Sequence, residues 1–391
     1  MKKLLIVTTV PITLKAFLLP YADYFRGLGW KVDCLSRGVS SDEECALHFD
    51  ACYDTNWSRN PFSVSNFAAL RDCVNKVREL AKKELYDIVH VHTPVAAFIT
   101  RYALRNVKTE LGTDVIYTAH GFHFYKGANC IKNFVFRTAE KIAAKWTDLL
   151  IVMNEEDFQA GVSFMPRERV VKMNGVGLDL NYYSRNKIPP EKILEFRNSI
   201  GLGLGDKLFS FVAEFNPGKR HEDVIRALAL TNAENNKLHL AFAGTGGLMS
   251  EMKELAGKLN VSERVHFIGF QKDVRPLIAA SAAMVMPSKR EGLPRSVMES
   301  MAMKTPVIGF DIRGTGDLLK DGCGILVHDA DKKIEGFADA MKYCADEKNA
   351  HEISKITERA YNKISNFDIK VLIKKHEELY EMVKTVSPTK K

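Results

Sequence analysis

Short apolar runs alternate along the chain with longer amphipathic segments. The runs of strand type are residues 4–7, 31–35, 88–92, 115–119 and 149–153 in the first half, then 209–213, 238–244, 265–268, 283–286 and 307–309. Such alternation predicts parallel sheets with crossover helices on their faces. The rhythm breaks once, where Met173-Asn174-Gly175-Val176-Gly177-Leu178-Asp179 leads into a polar stretch at 181–191 containing Pro189 and Pro190. The expected fold class is therefore α/β, with two doubly wound Rossmann-like domains at 1–180 and 181–365 and a ligand at the carboxyl ends of the strands. A last segment, 366–391, holds a helical periodicity at 369–383 and a short polar tail at 387–391.

A length of 391 residues suits this division, since domains run to roughly 100–200 residues. The formal charge of +8 is moderate and its basic residues are spread over many amphipathic segments. That pattern implies no nucleic acid, but it allows weak attraction to an anionic membrane surface. Met1-Lys2-Lys3-Leu4-Leu5-Ile6-Val7 imitates a signal peptide, yet Pro11 and Lys15 interrupt the apolar run, so a first buried strand is expected. No run approaches the roughly 18 apolar residues of a membrane span. The seven cysteines are odd in number and lack zinc-site spacing, which fits reduced thiols in a cytoplasm.

The most informative chemistry lies in Arg290-Glu291-Gly292-Leu293-Pro294-Arg295-Ser296-Val297-Met298-Glu299, where two carboxylates are separated by seven residues. Gly292 lets the backbone approach a ligand, Pro294 suits a first helical position, and the N–H groups of Gly292-Leu293 and the helix start would face an anion such as a diphosphate. Glu299 offers two acceptor oxygens to a vicinal diol, and Glu291 can reach hydroxyls beyond the phosphates. The outline is that of a nucleotide-sugar. The next residues, 301–310, predict a helix end, a turn and a buried strand, followed by the glycine-rich loop Asp311-Ile312-Arg313-Gly314-Thr315-Gly316.

This arrangement resembles the retaining nucleotide-sugar glycosyltransferases of family 4. The resemblance implies the GT-B fold, in which the last helices cross back to the first domain. It places a lysine five positions after a basic residue that follows the strand 209–213. Here the lysine is Lys219, which the resemblance sets against the donor diphosphate, but the earlier position is Glu214 in place of the common arginine. That exchange shifts the charge balance onto Lys219 and the helix start. Leu240-Ala241-Phe242-Ala243-Gly244 has the form of a strand ending in a glycine that approaches a nucleotide, or of an ordinary tight turn. By resemblance, Phe270 and Gln271 take the backbone role that pairs with the uracil edge, while Asp273 is expected to cap a helix.

In the first half, Tyr86-Asp87-Ile88-Val89-His90-Val91-His92 and the run 117–127 place four histidines, His90, His92, His120 and His123, after two adjacent strands. They lack the accompanying carboxylates of a metal site, and ring donors at strand ends can hydrogen-bond sugar hydroxyls instead. The segment 86–157, with the run 118–127 as its signature, closely resembles the bacterial capsule and exopolysaccharide type within family 4, which uses UDP-sugars, and in that family the histidine matching His120 lies at the reaction centre. Glu140 is expected to be helical and structural. The loop after the first strand, 8–14, contains no glycine, which lessens close backbone approach to the donor there. Phe17-Leu18-Leu19-Pro20-Tyr21 is apolar and aromatic, as either a buried helix start or a lipid-proximal acceptor edge would be.

The implied task is transfer of a sugar, an N-acetylhexosamine or related amino sugar, from a UDP-sugar to a polyprenyl-diphosphate-linked saccharide in surface polysaccharide assembly. No cofactor and no metal are called for, and the expected location is the cytoplasmic face of the inner membrane. The alternatives are a GT-B sugar-nucleotide epimerase, a phosphorylase, for which no pyridoxal phosphate lysine segment is evident, and a non-catalytic two-lobed sugar-binding protein.

Overall fold

The computed structural model describes residues 1–58, 64–125, 127, 129–231 and 237–386. Lys126, in the histidine-bearing run, and the tail 387–391 lie outside the described residues. The chain divides into two compact units, the first made of Met1–Gly177 with the chain from Lys370 onward, the second of Leu178–Ile369. The chain passes between units at 177/178 and 369/370, against expected joints at 180/181 and 365/366. The reason is a short pairing inside the second unit: Leu178 bridges Asp368, donating to the Phe367 carbonyl and accepting from the Ile369 amide.

Seven parallel strands form the first unit's sheet: β1 (Lys3–Val7), β2 (Lys31–Ser36), β3 (Ala51–Asp54), β4 (Ile88–His92), β5 (Asp114–Ala119), β6 (Leu149–Val152) and β7 (Val170–Lys172). Their order is β3-β2-β1-β4-β5-β6-β7. Leu4, Leu5, Ile6, Val7, Val89, Val91, Val115 and Ile116 are all buried. Near-continuous apolar strands of this kind are what a parallel sheet covered on both faces requires. The second unit carries β8 (Lys207–Val212), β9 (Leu238–Ala243), β10 (Val265–Gly269), β11 (Ser281–Met286), β12 (Val307–Phe310) and β13 (Ile325–Val327), in the order β10-β9-β8-β11-β12-β13. In each sheet the order reverses beside the first strand, at β1/β4 and at β8/β11, which are the places where doubly wound sheets bind ligands.

Three short strands go beyond the sequence expectation. β3, β7 and β13 are edge strands of three or four residues, too brief for any periodicity to register. The helix Pro11–Phe17 begins almost at the end of β1 and a second, Leu19–Gly27, follows after Leu18. Leu18, Leu19 and Tyr21 are buried, so that apolar stretch is a buried helix start. All seven cysteines are free thiols. Among the described residues no helix is long and apolar enough to cross a membrane.

The last helix, Ile369–Val386, packs on the first unit. Tyr380 is buried with its hydroxyl 2.6 Å from His90 Nδ1, and its ring stands 5.0 Å from that of Phe25. Tyr24 donates to Glu377 at 2.6 Å, and Lys2 pairs with Glu381. Leu372, Ile373 and Val383 are buried as well, and each such side chain contributes about 1.5–3 kcal/mol.

Gly244 follows β9 with φ +150°, and a Cβ there would lie 2.0 Å from the Ala213 carbonyl oxygen. Gly257, inside the helix Met249–Lys258, would meet nothing closer than Ser262 Oγ at 3.8 Å. The two alanine variants are therefore expected to move stability in opposite directions. Gly244→Ala should destabilise the second unit by about 2 kcal/mol or more, and Gly257→Ala should stabilise it by up to about 1 kcal/mol. Calorimetric unfolding of both variants checks this, and shifts of the same sign would contradict it.

Candidate active site

Because every strand of the second sheet runs the same way, the segments after β8 to β12 all leave from one edge. Backbone hydrogen bonds stitch them together. Phe215, after β8, donates to Thr245, after β9, at 2.9 Å, and Gly244 donates to Gly269 at the end of β10 at 2.8 Å. Lys289, after β11, donates to Gly218, after β8, at 2.8 Å. The loop after β12 closes the row: Arg313 Nε donates to the Glu291 carbonyl at 3.2 Å, and a Cβ on Gly314 (φ +79°) would lie 2.3 Å from the Gly292 oxygen. Only a glycine lets these two loops touch.

This stitching brings most of the residues singled out in the second half onto one edge. Lys219 Nζ lies 2.6 Å from Glu291 Oε1, and Glu291 is buried. A buried carboxylate needs such a partner. Glu214 is exposed and accepts from Asn216 Nδ2 at 3.3 Å. Pro294, expected at the first helical position, proves to be the N-cap of the helix Arg295–Ala302, which starts one residue later. Its extended ψ of 116° places it outside the helix, and it has no side chain to cap the first-turn N–H groups, which leaves that end suited to an anion. Glu299 is buried one turn further on, where Arg295 Nε donates to its Oε1 at 3.0 Å and Tyr183 hydrogen-bonds it. Burial pushes the Glu299 carboxyl up, opposed by Arg295. Phe270, after β10, is 77% exposed, and Gln271 turns its side-chain amide back to the Ile268 carbonyl at 2.6 Å. Asp273 lies just before the N-cap Val274 of the helix Arg275–Ala280, accepting from the Arg275 amide at 3.0 Å and pairing with its guanidinium. The expected capping contact is made one residue earlier in the chain than the cap itself.

In the first unit three of the four histidines come together and the fourth stands apart. His90 and His92 belong to β4 itself, not to the segment after it, because the strand runs to His92. His90 is buried, with Nδ1 on Tyr380 and Nε2 2.7 Å from Thr118 Oγ1. His92 Nδ1 lies 3.1 Å from His120 Nε2, and the Phe17 ring stacks 6.0 Å from that of His120. His123 stands apart, against Phe136 at 5.3 Å. His376, buried on the last helix, has its ring 5.8 Å from that of His90. Burial lowers the values of His90 and His92 well below the usual range and those of His120 and His376 to about 4. At neutral pH His120 is therefore an uncharged ring with one donor and one acceptor. Among the described residues no group of three or more His, Cys, Asp or Glu side chains is placed to hold a metal ion. Glu140 holds the buried Arg101 at 2.9 Å, a structural pair as expected.

Several partners escaped sequence reasoning. Arg295 to Glu299 is an i,i+4 spacing and was readable as such. Tyr183 is remote in sequence and carries no signal, and Arg313 sits in the glycine-rich loop 311–316 with nothing in the sequence to mark it. Thr93 is the other omission. It has φ +62° between β4 and the helix beginning at Pro94, and its hydroxyl lies 2.7 Å from that of Thr9 after β1. A β-branched residue in that region is strained, and here it marks the β1/β4 switch point.

Comparison with known proteins finds two family matches: the family described as Glycosyltransferase Family 4 over residues 17–171, and that described as Glycosyl transferases group 1 over residues 192–363. EpsD of Bacillus subtilis, named as a glycosyltransferase, is 34% identical over 322 residues, 82% of each chain. A UDP-Gal:alpha-D-GlcNAc-diphosphoundecaprenol alpha-1,3-galactosyltransferase of Escherichia coli is 30% identical over 334 residues, again 82% of each. Among solved structures, a glycosyltransferase of Rickettsia africae superposes with a TM-score of 0.80 at 18% identity over 99% of both chains. Alr3699/HepE of Anabaena, solved in complex with UDP and glucose, gives 0.77 at 19% identity over 98% of this chain and 100% of its own.

The histidine cluster sets an acid limit on the first unit. Well above pH 6.5 these rings are neutral in both folded and unfolded chains, so they add no pH dependence there. Between 6.5 and about 4 the unfolded chain takes up protons that the folded His120 and His376 refuse, so stability falls as pH falls, by up to about 1.4 kcal/mol per pH unit for each ring. Trp30, Trp57 and Trp146 all lie in the first unit, so tryptophan fluorescence reports on it alone. Its urea midpoint should drop steadily from pH 6.5 to 4.5, less steeply in His376→Gln, and a midpoint that stays flat would contradict this.

Proposed function

The chain belongs to the family 4, group 1 glycosyltransferases, with the GT-B fold, and from that premise we propose that it is a retaining enzyme using a UDP-sugar donor. It transfers a sugar, an N-acetylhexosamine or a related amino sugar, to a polyprenyl-diphosphate-linked saccharide in bacterial surface-polysaccharide assembly. The observation that carries this reading is the stitched edge of the second sheet, where Lys219 meets Glu291 immediately before a helix start without a side-chain cap, and Glu299 follows one turn inside. In this reading the diphosphate lies against the N–H groups at Gly292, Leu293 and the first helical turn after Pro294, with Lys219 as counter-charge. Glu299, oriented by Arg295 and Tyr183, accepts the ribose diol. Glu291 takes a hydroxyl of the transferred sugar, the backbone at Phe270 and Gln271 meets the uracil edge, and Gly244 permits close approach. With Glu214 in place of an arginine, Arg313 joins Lys219 in balancing the leaving charge.

His120 is neutral at pH 7, so it serves as a hydrogen-bond partner of a sugar hydroxyl and not as a general acid. Retention then follows a front-face course: the acceptor hydroxyl attacks as the bond to UDP breaks, and its proton passes to the leaving phosphate oxygen. Neither a cofactor nor a metal takes part. The acceptor class is supported by the E. coli relative named for a diphosphoundecaprenol-linked sugar. A net charge of +8 supports peripheral association of the first unit with the cytoplasmic face of the inner membrane.

Two experiments test the assignment. UDP release should depend on added polyprenyl-linked acceptor and persist in excess chelator. Activity abolished by chelator and restored by a titrated divalent ion would overturn the metal-independent course, and release that ignores acceptor would overturn the transferase reading of this site. Glu299→Gln and Glu291→Gln preserve shape and leave Tyr183, Arg295 and Lys219 an oxygen to bind, so they separate the two carboxylates cleanly. Charge-assisted hydrogen bonds are worth about 1.5–3 kcal/mol, so Glu299→Gln should weaken UDP about tenfold or more by calorimetry. Glu291→Gln should leave UDP affinity nearly intact and lower turnover of the UDP-sugar. Equal loss of UDP affinity in both variants would show the donor is misplaced.

A further inference from the structure

The helix Cys130–Ala144 presents two different faces. Its inner face is anchored to the first unit: Asn133 exchanges hydrogen bonds with the Tyr125 backbone at 3.1 and 2.9 Å, Phe136 lies against His123, and Glu140 holds Arg101. Asn129 caps its start by accepting from the amides of Ile131 and Lys132. The outer face carries Ile131, 70% exposed, and Phe134, 72% exposed, with Val135 and Ile142 exposed beside them. These positions, i, i+3, i+4 and i+11, form one stripe along the helix. Single exposed apolar residues are ordinary, but four together on one helix mark an interaction surface.

Charge identifies the partner. The exposed charged side chains on this helix and immediately after it are Lys132, Arg137, Lys141 and Lys145, all cationic. Its one carboxylate, Glu140, is turned inward onto Arg101. An apolar stripe flanked by cations, with no outward acid, matches the layered chemistry of an anionic bilayer: acyl chains beneath phosphate headgroups. We propose that this face seats the first unit on an anionic membrane, with Ile131 and Phe134 entering the headgroup–acyl boundary and the four cations on the headgroup phosphates. The biological purpose of this contact rests on the membrane-linked acceptor proposed above, whereas its geometry does not.

The test uses the full chain and vesicles of phosphatidylcholine, with or without phosphatidylglycerol. The unaltered protein should co-sediment with the anionic vesicles at low salt, lose them at high salt, and bind neutral vesicles at least about tenfold less. Ile131→Glu with Phe134→Glu replaces two exposed side chains, so the fold should hold by circular dichroism, and anionic vesicle binding should fall at least about tenfold. Leu204→Glu, at a fully exposed position in the second unit, should bind as the unaltered protein does. Undiminished binding by the double variant, or equal loss in Leu204→Glu, would overturn the proposal. So would a double variant that changes only the sedimentation-equilibrium mass, because the face would then join copies of the chain. With detergent-solubilised acceptor the double variant should keep its UDP release. A failed transfer with intact vesicle selectivity would sink the acceptor reading alone, and intact transfer with no vesicle selectivity would sink the docking face alone.

Discussion

The hydrogen bond from the Lys289 amide to the Gly218 carbonyl, 2.8 Å long, ties the turn after β8 to the loop after β11. It joins the two segments that carry Lys219 and Glu291. With that clamp in place Lys219 falls beside Glu291, and their ion pair allows a carboxylate to be buried there without an unmet charge. The clamp exists because β8 and β11 are neighbours at the point where the strand order reverses, which is where doubly wound sheets bind ligands. Glycines complete the arrangement from both flanks, at Gly244 toward β8 and at Gly314 toward Gly292. Chemistry at this edge thus follows from topology and from two absent side chains.

The first unit is organised differently. Its β4 and β5 bring His92 to His120, but the ring behind them, His90, reaches Tyr380 on the last helix. The final helix is therefore part of the support of the histidine site and not an appendage. Burying uncharged imidazoles keeps His120 a neutral hydrogen-bonding group, and the same burial makes the unit sensitive to acid. The role proposed for His120 and the acid sensitivity expected of the unit share one cause.

Much of this was legible in the chain. Runs such as Ile88-Val89 and Leu149-Leu150-Ile151 announce buried parallel strands because they are apolar on both faces, and the Glu291–Glu299 spacing marks the helix start within one residue. What could not be read is contact between distant segments. Nothing near Tyr183 in sequence points to Glu299, and nothing near His90 points to Tyr380. The edge strands β3 and β13 were hidden by brevity, and His90 looked like a strand-end ligand because alternation in β4 does not reveal what lies on each face. Thr93 was visible as the residue before Pro94, which favours an extended ψ, but its positive φ could not be inferred without the neighbouring Thr9.

The central claim is that the stitched edge of the second sheet holds the nucleotide. Amide hydrogen exchange with and without UDP tests it most directly, since bound phosphate and uracil would protect backbone N–H groups there. Slower exchange is predicted in peptides covering 214–220, 244–248, 269–272 and 289–300. Exchange unchanged in all four, with protection appearing only around 90–94 and 118–125, would contradict the account.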